Sequence, residues 1–234
     1  MAQGVAPVTA HPARYSEALL PIFANLLQMT VGVGARVLDP FAGTGRIHEL
    51  YPTYETTGVE IEPEWAHMHP RTLVGNALAL DFANGTFDAI VTSPTYGNRM
   101  ADHHDAKDTS KRITYRHRLG RALHPDNSGQ LQWGPRYQNF HALAWGEAVR
   151  VLRPGGVFIL NISDHIRGGS VVPVSEWHRS YLQSEHGLML GVDIEVETPR
   201  MKFGANGALR TDSENVFLFV KPKTQPDPTE GNHP

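Results

Sequence analysis

Val37-Leu38-Asp39-Pro40-Phe41-Ala42-Gly43-Thr44-Gly45 is an apolar strand that runs directly into a turn of small residues. An acidic residue closes the strand, and Gly43 and Gly45 allow backbone to approach a ligand closely. That combination predicts the first βα turn of an open α/β sheet. A nicotinamide-binding turn would need Gly-x-Gly-x-x-Gly directly after the strand. Here Pro40 and Phe41 precede the first glycine and no third glycine follows, so the turn is read as a different cofactor site.

Working outward, further strand candidates alternate with helical stretches. Ala35–Asp39, Glu55–Glu60, Arg71–Gly75, Phe87–Ser93 and Gly156–Asn161 are apolar and rich in β-branched residues, as buried parallel strands are. Between Arg14 and Met29, apolar residues recur at helical spacing, with Pro21 predicting a kink or break. Arg46–Leu50 and Glu64–His69 read as helical turns. In Tyr137–Leu152, Phe140, Leu143, Ala144, Ala148 and Val151 form one stripe, and Pro154-Gly155-Gly156 is expected to stop it. Leu188–Glu197 and Val216–Lys221 complete the pattern as β-like runs. The alternation predicts a doubly wound parallel sheet finished by an antiparallel hairpin.

The second informative stretch, Thr92-Ser93-Pro94-Thr95-Tyr96, follows the strand Phe87–Val91 and presents a hydroxyl, a rigid carbonyl and an aromatic ring together. Asp-Pro-Phe-Ala-Gly-Thr-Gly followed by Ser-Pro-x-Tyr resembles the S-adenosylmethionine-dependent amino-methyltransferases, which methylate exocyclic amines of nucleobases. The resemblance extends to compact members of phages and actinobacteria. It implies a mostly parallel, seven-stranded Rossmann-like methyltransferase sheet and S-adenosyl-L-methionine as cofactor. His11 at the head of the His11–Tyr15 stretch, Asp39, Phe41, Gly43 and Gly45 would flank the methionine end. Glu60 would accept bonds from the ribose hydroxyls, Ile61 would pack on the adenine, and Asn76 and Ala77 would meet the adenine edge. The family more often has Asp at the position of Asn76; Asn keeps an acceptor oxygen without the charge. Glu62 is expected to be exposed by alternation along the strand.

Ser93, Pro94 and Tyr96 are the expected catalytic residues. An aromatic amine is a poor nucleophile, and acceptors such as the Ser93 hydroxyl and the Pro94 carbonyl help as its nitrogen becomes tetrahedral. Tyr96 can stack on the base. In the resembling family Ser at the first position is typical of cytosine-N4 enzymes, and Asp or Asn of adenine-N6 enzymes. The sequence departs from the family at Thr95, where a second proline is usual. An RNA base methyltransferase and a catalytically silent binding subunit are the alternative readings.

The 234 residues suit one domain, with 11–223 as the catalytic unit between tails at 1–10 and 224–234. With 40% apolar residues the chain is expected to be globular. It has no long apolar run and no leader pattern at its start, so neither membrane insertion nor secretion is expected. The absence of cysteine fits a reducing cytoplasm and removes thiol nucleophiles and cysteine-rich metal sites. Cytosine C5 methylation, which proceeds through a cysteine adduct, is thereby excluded.

Net charge is −3, unevenly distributed: residues 97–150 carry +4 and the remainder −7. The polar stretch 98–136 is long for a loop in a compact domain and leaves the sheet beside the Ser-Pro-x-Tyr motif. Lys111, Arg112, Arg116 and Arg118 are its candidate phosphate contacts, and the expected partner is nucleic acid, with DNA methylation of the restriction–modification kind in view. Trp133 is a stacking candidate, whereas Trp145 reads as core. Asp164 and His165 read as a base or a helix cap. His103, His104, Asp105, His117 and His124 match no familiar ligand spacing, and no metal is expected.

Overall fold

The structure is a computed structural model that describes residues 16–97, 115–198 and 212–223. Its main sheet has seven strands: β1 (Arg36–Asp39), β2 (Glu55–Glu60), β3 (Thr72–Val74), β4 (Phe87–Thr92), β5 (Leu152–Ile162), β8 (Met189–Glu197) and β9 (Ser213–Val220). Their order is β3-β2-β1-β4-β5-β9-β8. β1 to β5 are parallel, while β9 inserts antiparallel between β5 and β8. The expected doubly wound sheet with its antiparallel hairpin is present.

Strand alternation builds two cores. Leu38, Ile90, Phe158, Leu160, Phe217 and Phe219 enter one face, and their neighbours Val37, Ala89, Val91, Ile159 and Leu218 enter the other. Successive strand residues point to opposite faces, so a fully apolar strand needs cover on both sides. α1 (Leu19–Thr30) covers the second face through Leu19, Phe23, Leu26 and Leu27. α4 (Pro135–Val151) and α5 (Val174–Ser184) contribute to the first.

Several local expectations change. Pro21 neither kinks nor breaks α1; it lies in the first turn, where backbone N–H groups have no helical partner to lose. α4 ends at Val151, three residues before Pro154-Gly155-Gly156, and that triplet lies inside β5. A Cβ on Gly156 would come within 2.7 Å of the Asp88 carbonyl oxygen, so glycine lets β5 pass close to β4. The buried side of α4 is Tyr137, His141, Ala144, Trp145 and Ala148, leaving Leu143 63% exposed rather than in the stripe. Trp145 is core, as expected.

Two elements had no counterpart in the sequence reading. One is the hairpin β6 (His165–Arg167) with β7 (Ser170–Val172), and the other is α5. Asp164 joins them: its Oδ1 accepts from the Ser175 backbone N–H at 2.8 Å and from the Ser175 hydroxyl, capping the first turn of α5 from a distance. The stretch read as one insertion contains α3 (Tyr115–Leu119) and a 3₁₀ turn, Ser128–Gln130, and its end forms the start of α4. α2 (Pro63–Ala66) follows β2. No helix among the described residues is long and apolar enough to cross a membrane.

Candidate active site

The carboxyl ends of β1, β2, β4 and β5 converge where the strand order reverses from β2-β1 to β4-β5, the position at which open α/β sheets bind ligands. β1 delivers Asp39. Its Oδ1 accepts from the Thr92 hydroxyl at 2.8 Å and from the Phe41 N–H at 3.0 Å. Oδ2 is buried and has no hydrogen-bond partner among the described residues. Burial pushes this carboxyl up to about 7, against the two hydrogen bonds that lower it.

β2 delivers Glu60, whose two oxygens accept from Gly43 N–H (3.0 Å) and Glu62 N–H (2.9 Å). Burial raises it, too, to about 7. The Gly43 contact ties the glycine turn to the tip of β2, and Gly43 takes the left-handed φ of 54°. Gly45 takes a left-handed φ as well, of 84°, and a Cβ there would lie 2.8 Å from both His48 and His69, whose rings stack 4.0 Å apart.

Glu62 departs most from expectation. It is fully buried, because the chain leaves the strand after Glu60 and alternation no longer applies. Its Oε1 accepts from His124 N–H and Asn127 Nδ2, both at 2.8 Å, and Arg121 stands 2.7 Å from Oε2. Arg121 also pairs with Glu64. The part of the polar stretch from Tyr115 onward is therefore anchored: Tyr115 packs edge-on to Trp65, Asp126 accepts from Asn76 Nδ2 at 2.9 Å, and Ser128 accepts from the Thr95 hydroxyl at 2.9 Å. Asn76 Oδ1 accepts from Leu78 N–H, and Ala77 is buried in the core. Ile61 is half-buried beside Glu60.

At the end of β4, Ser93 is half-buried and Pro94 buried. The Ser93 and Tyr96 hydroxyls are 3.0 Å apart. Asn161, on β5, places its Nδ2 3.0 Å from Ser93 Oγ, 2.9 Å from Tyr96 Oη and 2.7 Å from Glu214 Oε2, three acceptors for two N–H protons. Asn161 and Glu214 are buried and absent from the sequence-based site. A polar residue ending the apolar run Val157–Leu160 was the available signal for Asn161; Glu214 comes from a strand paired only in the tertiary structure. Thr95 is tied down by its hydroxyl to Ser128 and by its carbonyl to the Tyr137 hydroxyl (2.7 Å).

Trp133 is half-buried and packs on Tyr137 and Trp177 rather than standing free as a platform. Arg116 and Arg118 are exposed on α3. His11, Lys111 and Arg112 lie outside the described residues, as do His103, His104 and Asp105.

No family model matches the chain, and no curated protein matches it. Solved structures do. A SAM-dependent methyltransferase from Methanosarcina mazei aligns with TM-score 0.55 at 14% identity, over 88% of this chain and 99% of its own. The N-methyltransferase NodS from Bradyrhizobium japonicum aligns with TM-score 0.52 at 12% identity, over 88% and 97%. The 1,6-didemethyltoxoflavin-N1-methyltransferase of Burkholderia thailandensis, solved with bound 1,6-didemethyltoxoflavin and S-adenosylhomocysteine, gives 0.50 at 17%, over 89% and 80%. The fold is that of the class I methyltransferases.

Proposed function

We propose that the chain is an S-adenosylmethionine-dependent methyltransferase acting on an exocyclic amino group of a nucleobase in DNA, cytosine N4 before adenine N6. The observation that carries this reading is the Ser93–Tyr96 hydroxyl pair, held by Asn161 at the sheet edge that also presents Asp39 and Glu60.

The residues present fit the cofactor. Asp39 Oδ2, a buried acceptor without a partner among the described residues, suits the ammonium of a methionine tail. Glu60 has both oxygens at the tip of the neighbouring strand, each with acceptor capacity beyond its one backbone bond, as a ribose diol requires. Ile61, Asn76 and Ala77 line the adenine end in this reading, and Phe41 and His11 belong to the methionine end. S-adenosylhomocysteine bound to a neighbour of the same fold supports the assignment. When bound, the cofactor supplies an electrophilic methyl group, so no covalent enzyme intermediate is needed.

The chain's own residues activate the amine. With the Ser93 hydroxyl donating to Tyr96, Ser93 Oγ uses one lone pair on Asn161 and keeps the other for an amine N–H. The Pro94 carbonyl is the second acceptor. Both bonds strengthen as the nitrogen becomes tetrahedral. The Tyr96 ring, its hydroxyl anchored, offers a face to the base. A duplex base would have to be flipped out to reach this loop. The basic stretch with Lys111, Arg112, Arg116 and Arg118 supplies charge for the phosphate backbone, and a cysteine-free chain fits the cytoplasm.

Mass spectrometry of nucleosides from DNA and RNA of cells making the protein tests the reading. N4-methylcytosine in DNA is expected, with N6-methyladenine as the second product. A product confined to RNA would replace the DNA assignment, and a C5-methyl product would overturn the mechanism.

A further inference from the structure

Beneath the Ser93–Gly97 loop, three fully buried side chains that the chemistry above does not use are linked to one another by hydrogen bonds: Trp145 and Tyr137 on α4 and His178 on α5. Trp145 Nε1 is 2.9 Å from His178 Nδ1, His178 Nε2 is 2.9 Å from Tyr137 Oη, and Tyr137 Oη is 2.7 Å from the Thr95 carbonyl oxygen. The direction of every bond follows from the donor inventory. An indole N–H only donates, so His178 Nδ1 accepts. A neutral imidazole then carries its single proton on Nε2 and donates it to Tyr137. Tyr137 has one proton left to give, and gives it to the Thr95 carbonyl.

Burial holds His178 well below the ordinary histidine range, so the neutral ring is the one present. A protonated ring would turn Nδ1 into a second donor facing the indole N–H. Three polar groups in an apolar core are costly unless every one is satisfied. Here each is satisfied in sequence, and the chain of bonds ends on backbone of the loop rather than on another side chain.

We infer that Trp145, His178 and Tyr137 form a positioning relay that sets the Thr95–Tyr96 peptide plane and thereby aims the Pro94 carbonyl and Ser93 at the substrate amine. The relay does the work that a second proline would do at Thr95. Pro94 has its own φ fixed by its ring, Ser93 is held by Asn161, and the Thr95 carbonyl is held by Tyr137. The Thr95 hydroxyl on Ser128 and the Trp133 N–H on the Gly97 carbonyl (3.1 Å) complete the restraint from the other side. Trp145, His178 and Tyr137 are positioning residues; none of them needs to touch substrate.

The inference rests on the methyltransferase reading for its catalytic arm only, and a spectroscopic arm stands apart from it. In ¹⁵N-histidine-labelled full-length protein at neutral pH, His178 should be the Nε2–H tautomer, and Trp145→Phe should admit the Nδ1–H form. In ¹³C-labelled protein, Tyr137→Phe should move the Thr95 carbonyl resonance. In the catalytic arm, Tyr137→Phe should lower kcat by roughly tenfold or more, with KM and S-adenosylhomocysteine affinity within about twofold. His178→Gln, which can accept and donate in the same order, should retain more turnover than His178→Leu. Tyr137→Phe combined with His178→Leu should be no worse than the more damaging single change, because the chain acts as a unit. An Nδ1–H tautomer in the parent, an unmoved Thr95 resonance, or undiminished kcat in Tyr137→Phe would overturn the relay. A parent protein that methylates no nucleobase amine would overturn the function proposed above, while the spectra would still decide the relay.

Discussion

Asp39 and Thr92, the last residues of two adjacent parallel strands, are joined by a hydrogen bond of 2.8 Å. The bond couples the acidic end of β1 to the loop that begins at Ser93. It also occupies one Asp39 oxygen and leaves Oδ2 as the buried acceptor.

Protonation follows from that burial. Asp39 and Glu60 are both raised to about 7. Between the ordinary carboxylate range and about 7 the unfolded chain has released protons that the folded chain keeps, so these two groups reduce stability as pH rises through that window. A cationic ligand at Asp39 favours the ionised form. S-adenosylmethionine affinity should therefore rise with pH up to about 7 and then level. Calorimetry at pH 6 in two buffers of different ionisation enthalpy should show net proton release, reduced in Asp39→Asn. No proton release in the parent would separate Asp39 and Glu60 from the cofactor.

Asn161→Ala should remove the donor that holds Ser93 Oγ and, through it, the Tyr96 hydroxyl. The expected loss is about 10- to 100-fold in kcat, with cofactor affinity nearly unchanged. Steady-state kinetics beside cofactor titration checks this. Equal losses in both would mean that Asn161 holds the sheet edge together rather than the Ser93–Tyr96 pair.

Arg121→Ala should leave the buried Glu62 carboxylate with only its His124 and Asn127 bonds. Arg121 is partly exposed, which moderates the cost of breaking the pair to about 1–3 kcal/mol. Urea denaturation measures it. A midpoint unchanged from the parent would show that the polar stretch is not anchored through this pair.

Gly58→Ala tests the packing under the glycine turn. A Cβ there would meet Ala42 Cβ at 2.7 Å, Thr72 Oγ1 at 2.9 Å and His48 Nε2 at 3.1 Å. His48 bridges Thr56 and Thr72 by hydrogen bonds of 2.9 Å, so it has little room to yield. Overpacking of this kind costs about 1–3 kcal/mol, and thermal denaturation should show it. An unshifted midpoint would mean that β2 and the turn can part without penalty.

If the basic stretch follows a phosphate backbone, replacing Lys111, Arg112, Arg116 and Arg118 by Ala should weaken nucleic-acid binding and flatten its salt dependence. Fluorescence anisotropy across a salt series reads both. Identical slopes for variant and parent would reduce these residues to solvated charge.

The sheet was readable in the sequence because its strands are local patterns. Glu55–Glu60 shows three β-branched residues, Thr56, Thr57 and Val59, within six, and Val37–Gly45 carries strand, acid and glycine turn within nine residues. The site's acidic edge was readable for the same reason, since Asp39 and Glu60 sit at strand ends set by those patterns. Tertiary structure alone decided the rest. Pro21 is harmless because α1 begins only two residues before it, and Glu62 is buried because His124, Asn127 and Arg121 return to it from about sixty residues away. Asn161 meets Glu214 through an antiparallel pairing that joins residues 53 positions apart. Tyr137 finds Thr95 because two helices pack under the loop. A hydrogen bond between distant side chains depends on strand register and helix packing, and neither is encoded in the residues that make it.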